Sequence, residues 1–133
     1  MNIEDLREYC LAKKAVSEST PFDQVTLVFK VAGKMFAILP TDVLQLSITL
    51  KCDPEKAIHL RELYPAVKPG FHTSKKHWNT IAVDGSVSQD LIKEWVDHSY
   101  DLIVQSFTRK QREAYEFPHP SNSPQGENQP PHC

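Results

Sequence analysis

Two β-rich runs flank a two-residue, glycine-containing gap. Val25-Thr-Leu-Val-Phe-Lys-Val31 and Lys34-Met-Phe-Ala-Ile-Leu39 are separated only by Ala32-Gly33. A two-residue connection of this kind makes a hairpin, so the flanking strands are antiparallel. A chain built on it is committed to an antiparallel sheet, and other segments must cover one face of that sheet or extend it. The run Leu44-Gln-Leu-Ser-Ile-Thr-Leu50 supplies an extension. It alternates apolar and polar residues at period two, which buries one face and leaves the other open.

The remaining elements follow from local chemistry. Asn2 caps a first helix, with Glu4 and Asp5 where the helix dipole favours acids and Ile3, Leu6 and Cys10 at helical spacing. Asp53-Pro54-Glu55 is a compact helix start, followed by Ala57, Leu60, Leu63 and Tyr64 until Pro65. A short strand is expected between Ala66 and His72, weakened by Pro69 and Gly70. Trp78-Asn-Thr-Ile-Ala-Val83 is a clearer one, closed by Asp84-Gly85. A long final helix begins near Ser86 or Ser88 and carries a broad apolar stripe of Leu91, Ile92, Trp95, Val96, Leu102 and Ile103. Its C-terminal end takes in Arg109, Lys110 and Arg112, as the dipole prefers. Ser99 and Ser106 lie within the stripe, where small residues let a helix approach a sheet closely. The expected fold is therefore α+β, a two-layer antiparallel sheet packed on helices in the order α-β-β-β-α-β-β-α.

The chain has 133 residues, which suits one domain. Residues 1–116 form it, and 117–133 read as a Pro-rich disordered tail holding five of the ten prolines. No apolar run approaches the roughly 20 residues that span a bilayer, so no membrane association is expected. The first residues also lack the layout of a signal peptide. Three widely spaced cysteines, Cys10, Cys52 and Cys133, fit reduced thiols in a cytoplasmic protein, with Cys10 and Cys52 as small core hydrophobes.

A net charge of −2 excludes a histone-like basic protein but conceals local structure. Residues 63–83 carry Lys68, Lys75 and Lys76 with no acid, whereas 84–133 carry four bases against eight acids. Asp90, Glu94, Asp97 and Asp101 share one face of the last helix, a solvated face that repels nucleic acid. The basic stretch Phe71-His-Thr-Ser-Lys-Lys-His-Trp-Asn79 sets cations between aromatics, a combination suited to a polyanion. The same stretch also reads as a solvated turn with Trp78 packed in the core beside Ile81 and Val83. His72 and His77 lack a Cys or carboxylate to complete a metal set, no Gly-rich phosphate loop exists, and Asp97, His98 and Ser99 diverge on their helix. No metal, cofactor or catalytic residue is expected.

Residues along most of the body resemble the MmcQ/YjbR family of small bacterial proteins. The resemblance rests on Pro21-Phe22, Phe29-Lys30-Val31, Gly33-Lys34-Met35-Phe36 and Leu50-Lys51-Cys52-Asp53-Pro54-Glu55. It continues through Pro69-Gly70-Phe71-His72, Lys76-His77-Trp78-Asn79-Thr80 and Ser99-Tyr100. It implies an α-β(3)-α-β(2)-α fold like a double-wing transcription-factor domain, and a DNA-binding role argued largely from that fold. The leading expectation is a non-enzymatic binder of duplex DNA, weak and strongly salt-dependent. Lys68, Lys75 and Lys76 would meet phosphates, His72 and His77 would be pH-dependent donors, and Asn79 would add a hydrogen bond. Lys30, Lys34 and Lys51 extend this surface if the sheet's open face takes part. Two alternatives stand beside it: a protein-interaction module, a homodimer among its forms, using an exposed sheet face, and a small-molecule site or enzyme around His72, His77 and Tyr100.

Overall fold

The structure is a computed structural model that describes residues 1–71 and 73–118. In chain order the elements are α1 (Ile3–Leu11), β1 (Val16–Ser19), β2 (Thr26–Val31), β3 (Lys34–Pro40), β4 (Ser47–Lys51), α2 (Pro54–Leu63), β5 (Val67–Pro69), β6 (Trp78–Ala82), α3 (Gln89–Gln105) and α4 (Arg109–Ala114). The six strands form one antiparallel sheet in the order β1-β2-β3-β4-β6-β5. The expected elements occur in the expected order, and two short ones join them.

The β2–β3 hairpin turns at Ala32 (φ 49°) and Gly33 (φ 84°), both left-handed, the pairing a two-residue connection requires. Asn2 and Asp5 form a reciprocal capping box on α1. Asp53 caps α2 through the Lys56 amide with Pro54 at the first position, and Ser88 caps α3 through the Leu91 amide. The core lies between the sheet and α1, α2 and α3. It takes Phe29 and Val31 of β2, Ala37 and Leu39 of β3, Ile48 and Leu50 of β4, and Ile81 of β6 from the sheet. Leu6, Cys10, Ala57, Leu60, Ile92, Trp95 and Val96 face them from the helices. Cys10 and Cys52 are buried thiols, and burial pushes the Cys10 thiol up to about 12.

Ser99 is the seam between the layers. It is fully buried, its hydroxyl donates to the Phe36 carbonyl at 2.6 Å, and it accepts the Lys51 amide at 3.0 Å. β3 and β4 pair only at Ala37–Leu50 and Ile38–Thr49, so the serine hydroxyl satisfies backbone groups just where the two strands part. A bulge between Phe29 and Lys30 accompanies this, placing both Phe36 and Ala37 in the core.

Three local features differ from the sequence reading. The final helix breaks at Ser106, whose hydroxyl bonds back to the Ile103 carbonyl, and Thr108 caps the separate helix α4 with Gln111. The break turns Phe107 into the core, where it meets Phe117 with ring centroids 5.6 Å apart. The strand expected from Leu44 begins at Ser47, and Leu44 stands fully exposed in the preceding loop. β1 was not anticipated: Val-Ser-Glu-Ser has no apolar alternation, and it is held at the sheet edge by pairing with β2 and by Arg7 gripping Glu18 at 2.5 and 2.8 Å. Most of the Pro-rich segment, from residue 119, lies outside the described residues, as does the Cys133 thiol. Among the described residues no helix is long and apolar enough to cross a membrane.

Candidate nucleic-acid interface

Strand register assigns every side chain to a face. Partner residues across an antiparallel ladder point the same way, and neighbours along a strand alternate. One outward row runs across all six strands: Ser19, Val28, Ile38, Thr49, Thr80 and Lys68. The next outward row holds Ser17, Lys30 and Met35 on one side and Lys51 and Trp78 on the other. Thr26, Pro40, Ser47 and Ala82 complete this face. The side chains of α1, α2 and α3 buried in the core all lie on the opposite face.

The open face therefore presents Lys30, Lys51 and Lys68 and not one carboxylate at a strand position. Glu18, the only acid in a strand among the described residues, points to the helical side, where Arg7 holds its carboxyl below the usual range, chiefly by hydrogen bonding. The floor of the open face is firm. Val28 is fully buried, and the Thr49 and Thr80 hydroxyls bond each other at 2.7 Å. Lys30 and Lys51 are half-buried and Lys68 is exposed, as expected of long side chains that bury their stems and keep the charged head in water.

The β5–β6 turn rises from one edge of this face. Gly70 donates to the Trp78 carbonyl at 2.9 Å, and Phe71 donates its amide to Thr80 Oγ1 at 3.2 Å. A Cβ at Gly70 would lie 2.7 Å from Trp78 Cβ, so only glycine lets the turn close against that strand. Lys75 Nζ bends back to the Gly70 carbonyl at 2.9 Å, and Arg61 of α2 bonds the Lys75 carbonyl from the other side. Lys76 is exposed, and the His77 carbonyl accepts the Cys52 amide at 2.8 Å.

Not every residue expected in the interface belongs to it. Asn79 is buried at 1% exposure on the core face, accepting from Arg61 Nε at 2.6 Å and donating to the Ala57 carbonyl at 3.3 Å. The expectation that it meets a ligand is corrected: its amide is spent joining α2 to β6. Lys34 is also removed. It pairs with core-facing Val31, so it points to the helical side, with its ammonium 5.4 Å from the Phe107 ring centre. Trp78, read as a core residue beside Ile81, faces the open side instead, because residues three apart on a strand take opposite faces. His72 lies outside the described residues.

Tyr100 is engaged elsewhere. Its hydroxyl donates to the Lys14 carbonyl at 2.7 Å and its ring meets Phe36 edge-on at 5.5 Å. Among the described residues, no hydrogen bond or ring contact joins it to His77, and no group of three metal-ligating side chains gathers. The acidic face of α3 is partly structural. Asp97 accepts from the Tyr9 hydroxyl at 2.7 Å and pairs with Lys13 at 2.5 Å, locking α1 onto α3. Burial, then that hydrogen bond, pushes the Tyr9 hydroxyl well above its ordinary range. Arg61, which fastens the basic turn to α2, gave no signal in the sequence. A lone arginine in the last turn of a helix reads as a dipole complement.

Fold and face together define a small α+β protein with one helix-covered and one open, basic sheet face. The sequence profile described as YjbR matches residues 11–102, and the chain belongs to the YjbR family. It is 33% identical over 112 residues to the uncharacterized protein YjbR of Escherichia coli strain K12, covering 84% of this chain and 95% of that one. The uncharacterized protein YbdF of Escherichia coli O157:H7 is 33% identical over 91 residues, 68% of this chain and 74% of the relative. Among solved structures, the Deinococcus radiodurans protein DR2400 superposes with a TM-score of 0.83 at 36% identity, covering 88% of this chain and 89% of that one. A Pseudomonas syringae protein superposes with a TM-score of 0.68 at 25% identity, covering 77% and 98%.

Proposed function

We propose that this chain is a non-catalytic, cytoplasmic DNA-binding protein that holds duplex phosphates on the open face of its sheet. Lys30, Lys51 and Lys68 supply the contacts on the face, and Lys76 in the β5–β6 turn adds a fourth at its margin. In this reading the β2–β3 and β5–β6 hairpins are the two wings of a double-wing domain. The observation that carries it is the acid-free outward side of all six strands, bearing three lysines in a protein of net charge −2. Few phosphate contacts mean roughly micromolar or weaker affinity that falls steeply with salt.

The test is fluorescence anisotropy of a short labelled duplex titrated with protein between roughly 50 and 200 mM salt. The expected log–log slope is about −3.6, or about 0.9 for each of the four lysines engaged. Lys51→Glu combined with Lys68→Glu should weaken binding at least about tenfold and flatten the slope by about 2. Unchanged affinity in that variant removes the open face as the site.

One observation favours a second reading, self-association. Phe22 (67% exposed), Val25, Val43 and Leu44 stand in the β1–β2 and β3–β4 loops, which the Thr41 amide joins to the Val25 carbonyl at 2.8 Å. An apolar cluster of this kind marks contact surfaces. Light scattering that reports only monomer at high protein concentration ends this reading.

A further inference from the structure

We infer that the open face discriminates between forms of nucleic acid, taking an unpaired strand in preference to duplex by stacking bases on Phe71 and Trp78. This rests on the nucleic-acid reading above and narrows it. Neither ring belongs to the core or to the apolar fringe packed against it. Phe71 is 61% exposed and Trp78 half-buried, whereas the chain's other tryptophan, Trp95, is buried against Tyr64 with ring centroids 5.3 Å apart. Apolar rings left in water are a cost that a ligand removes.

Phe71 is not a loose loop residue. Its amide is anchored on Thr80 Oγ1, and Thr80 is held by Thr49, so its main chain is fixed to the centre of the open face. Gly70 brings the turn against Trp78, which places the two aromatic residues on neighbouring strand ends. Lys51 is the cross-strand partner of Trp78, and Lys68, the partner of Thr80, lies on the same open face. A single strand alternates phosphates with flat bases, and rings alternating with ammonium groups match that pattern. In a duplex the bases are already stacked on each other, so the rings gain nothing and only the phosphate contacts remain.

Full-length protein is titrated with an oligothymidylate and with a mixed-sequence duplex of equal length at matched salt, following anisotropy and tryptophan emission. The oligothymidylate should bind about tenfold tighter and quench the emission. Phe71→Ala, a change at an exposed position, should weaken oligothymidylate binding by roughly tenfold and leave duplex binding unchanged. Equal affinity for both forms, or a Phe71→Ala variant unaltered toward oligothymidylate, overturns the inference while leaving duplex binding in place. Binding of neither form removes the nucleic-acid reading itself.

Discussion

On the helical side of the sheet, charge is matched. Arg7 meets Glu18, Lys13 meets Asp97, and Arg61 is divided among Asn79 and two turn carbonyls. Lys34 covers an aromatic ring. On the open side, Lys30, Lys51 and Lys68 stand without a carboxylate in their own strands, and among the described residues none of the three forms an ion pair. Matched groups hold the fold, because a buried charge or amide left alone costs more than its bond contributes. Charges repeated with one sign across a face do nothing for folding and raise the local potential for an anionic partner. The contrast separates residues that hold this fold from residues the fold leaves unpaired on an open surface.

Substitutions can break that contrast. The largest effect is expected at Ser99→Val, which strands the Phe36 carbonyl and the Lys51 amide in the core. A loss of about 3 kcal/mol in urea unfolding is expected, at the upper end of what an unmet buried group costs. A loss below about 1 kcal/mol would show that the seam does not depend on this hydroxyl. Asn79→Leu should cost about 2 kcal/mol, yet the folded variant should bind DNA like the parent. If instead DNA binding falls while stability holds, Asn79 belongs to the interface after all. Gly70→Ala is expected to cost about 1 kcal/mol, because the added carbon meets a strand that cannot retreat.

Smaller effects sharpen the comparison. Lys34→Glu should change duplex affinity less than twofold, against about tenfold for reversal of Lys51 with Lys68, although all three lysines lie in the same sheet. Anisotropy at one salt concentration compares them directly. The pH dependence of stability should also belong to the helical side. The folded Glu18 carboxyl is depressed, so its contribution is present above the ordinary carboxylate range and is lost as pH falls through its lowered value. Glu18→Gln should therefore flatten the acid limb of a urea-midpoint profile below about pH 4, by a small amount because the pair is solvent-screened.

Much of the scaffold was legible because each piece is fixed by neighbours in sequence. Ala32-Gly33 dictates the hairpin, Asp53-Pro54 starts α2, and the stripe from Leu91 to Ile103 places α3 on the sheet. β1 was not legible, since four polar-leaning residues form a strand only when β2 and Arg7 are there to hold them. The site divided along the same line. Lysines crowded into 63–83 were visible as a basic stretch, but which of them share a face depends on the β4–β6 register, set by residues thirty positions apart. Trp78 and Asn79 exchanged roles for this reason. A one-residue shift in parity sends the ring outward and the amide inward, and the parity of Trp78 against Ile81 was the signal available in the sequence.

Amide chemical-shift mapping with DNA tests the open-face site most directly. Perturbations are predicted at Lys30, Thr49, Lys51, Lys68, Phe71, Lys76 and Thr80, with α1 and the acidic face of α3 unmoved. Perturbations centred on α1 and α3, or confined to the loops carrying Phe22 and Leu44, would contradict an interface on the open face of the sheet.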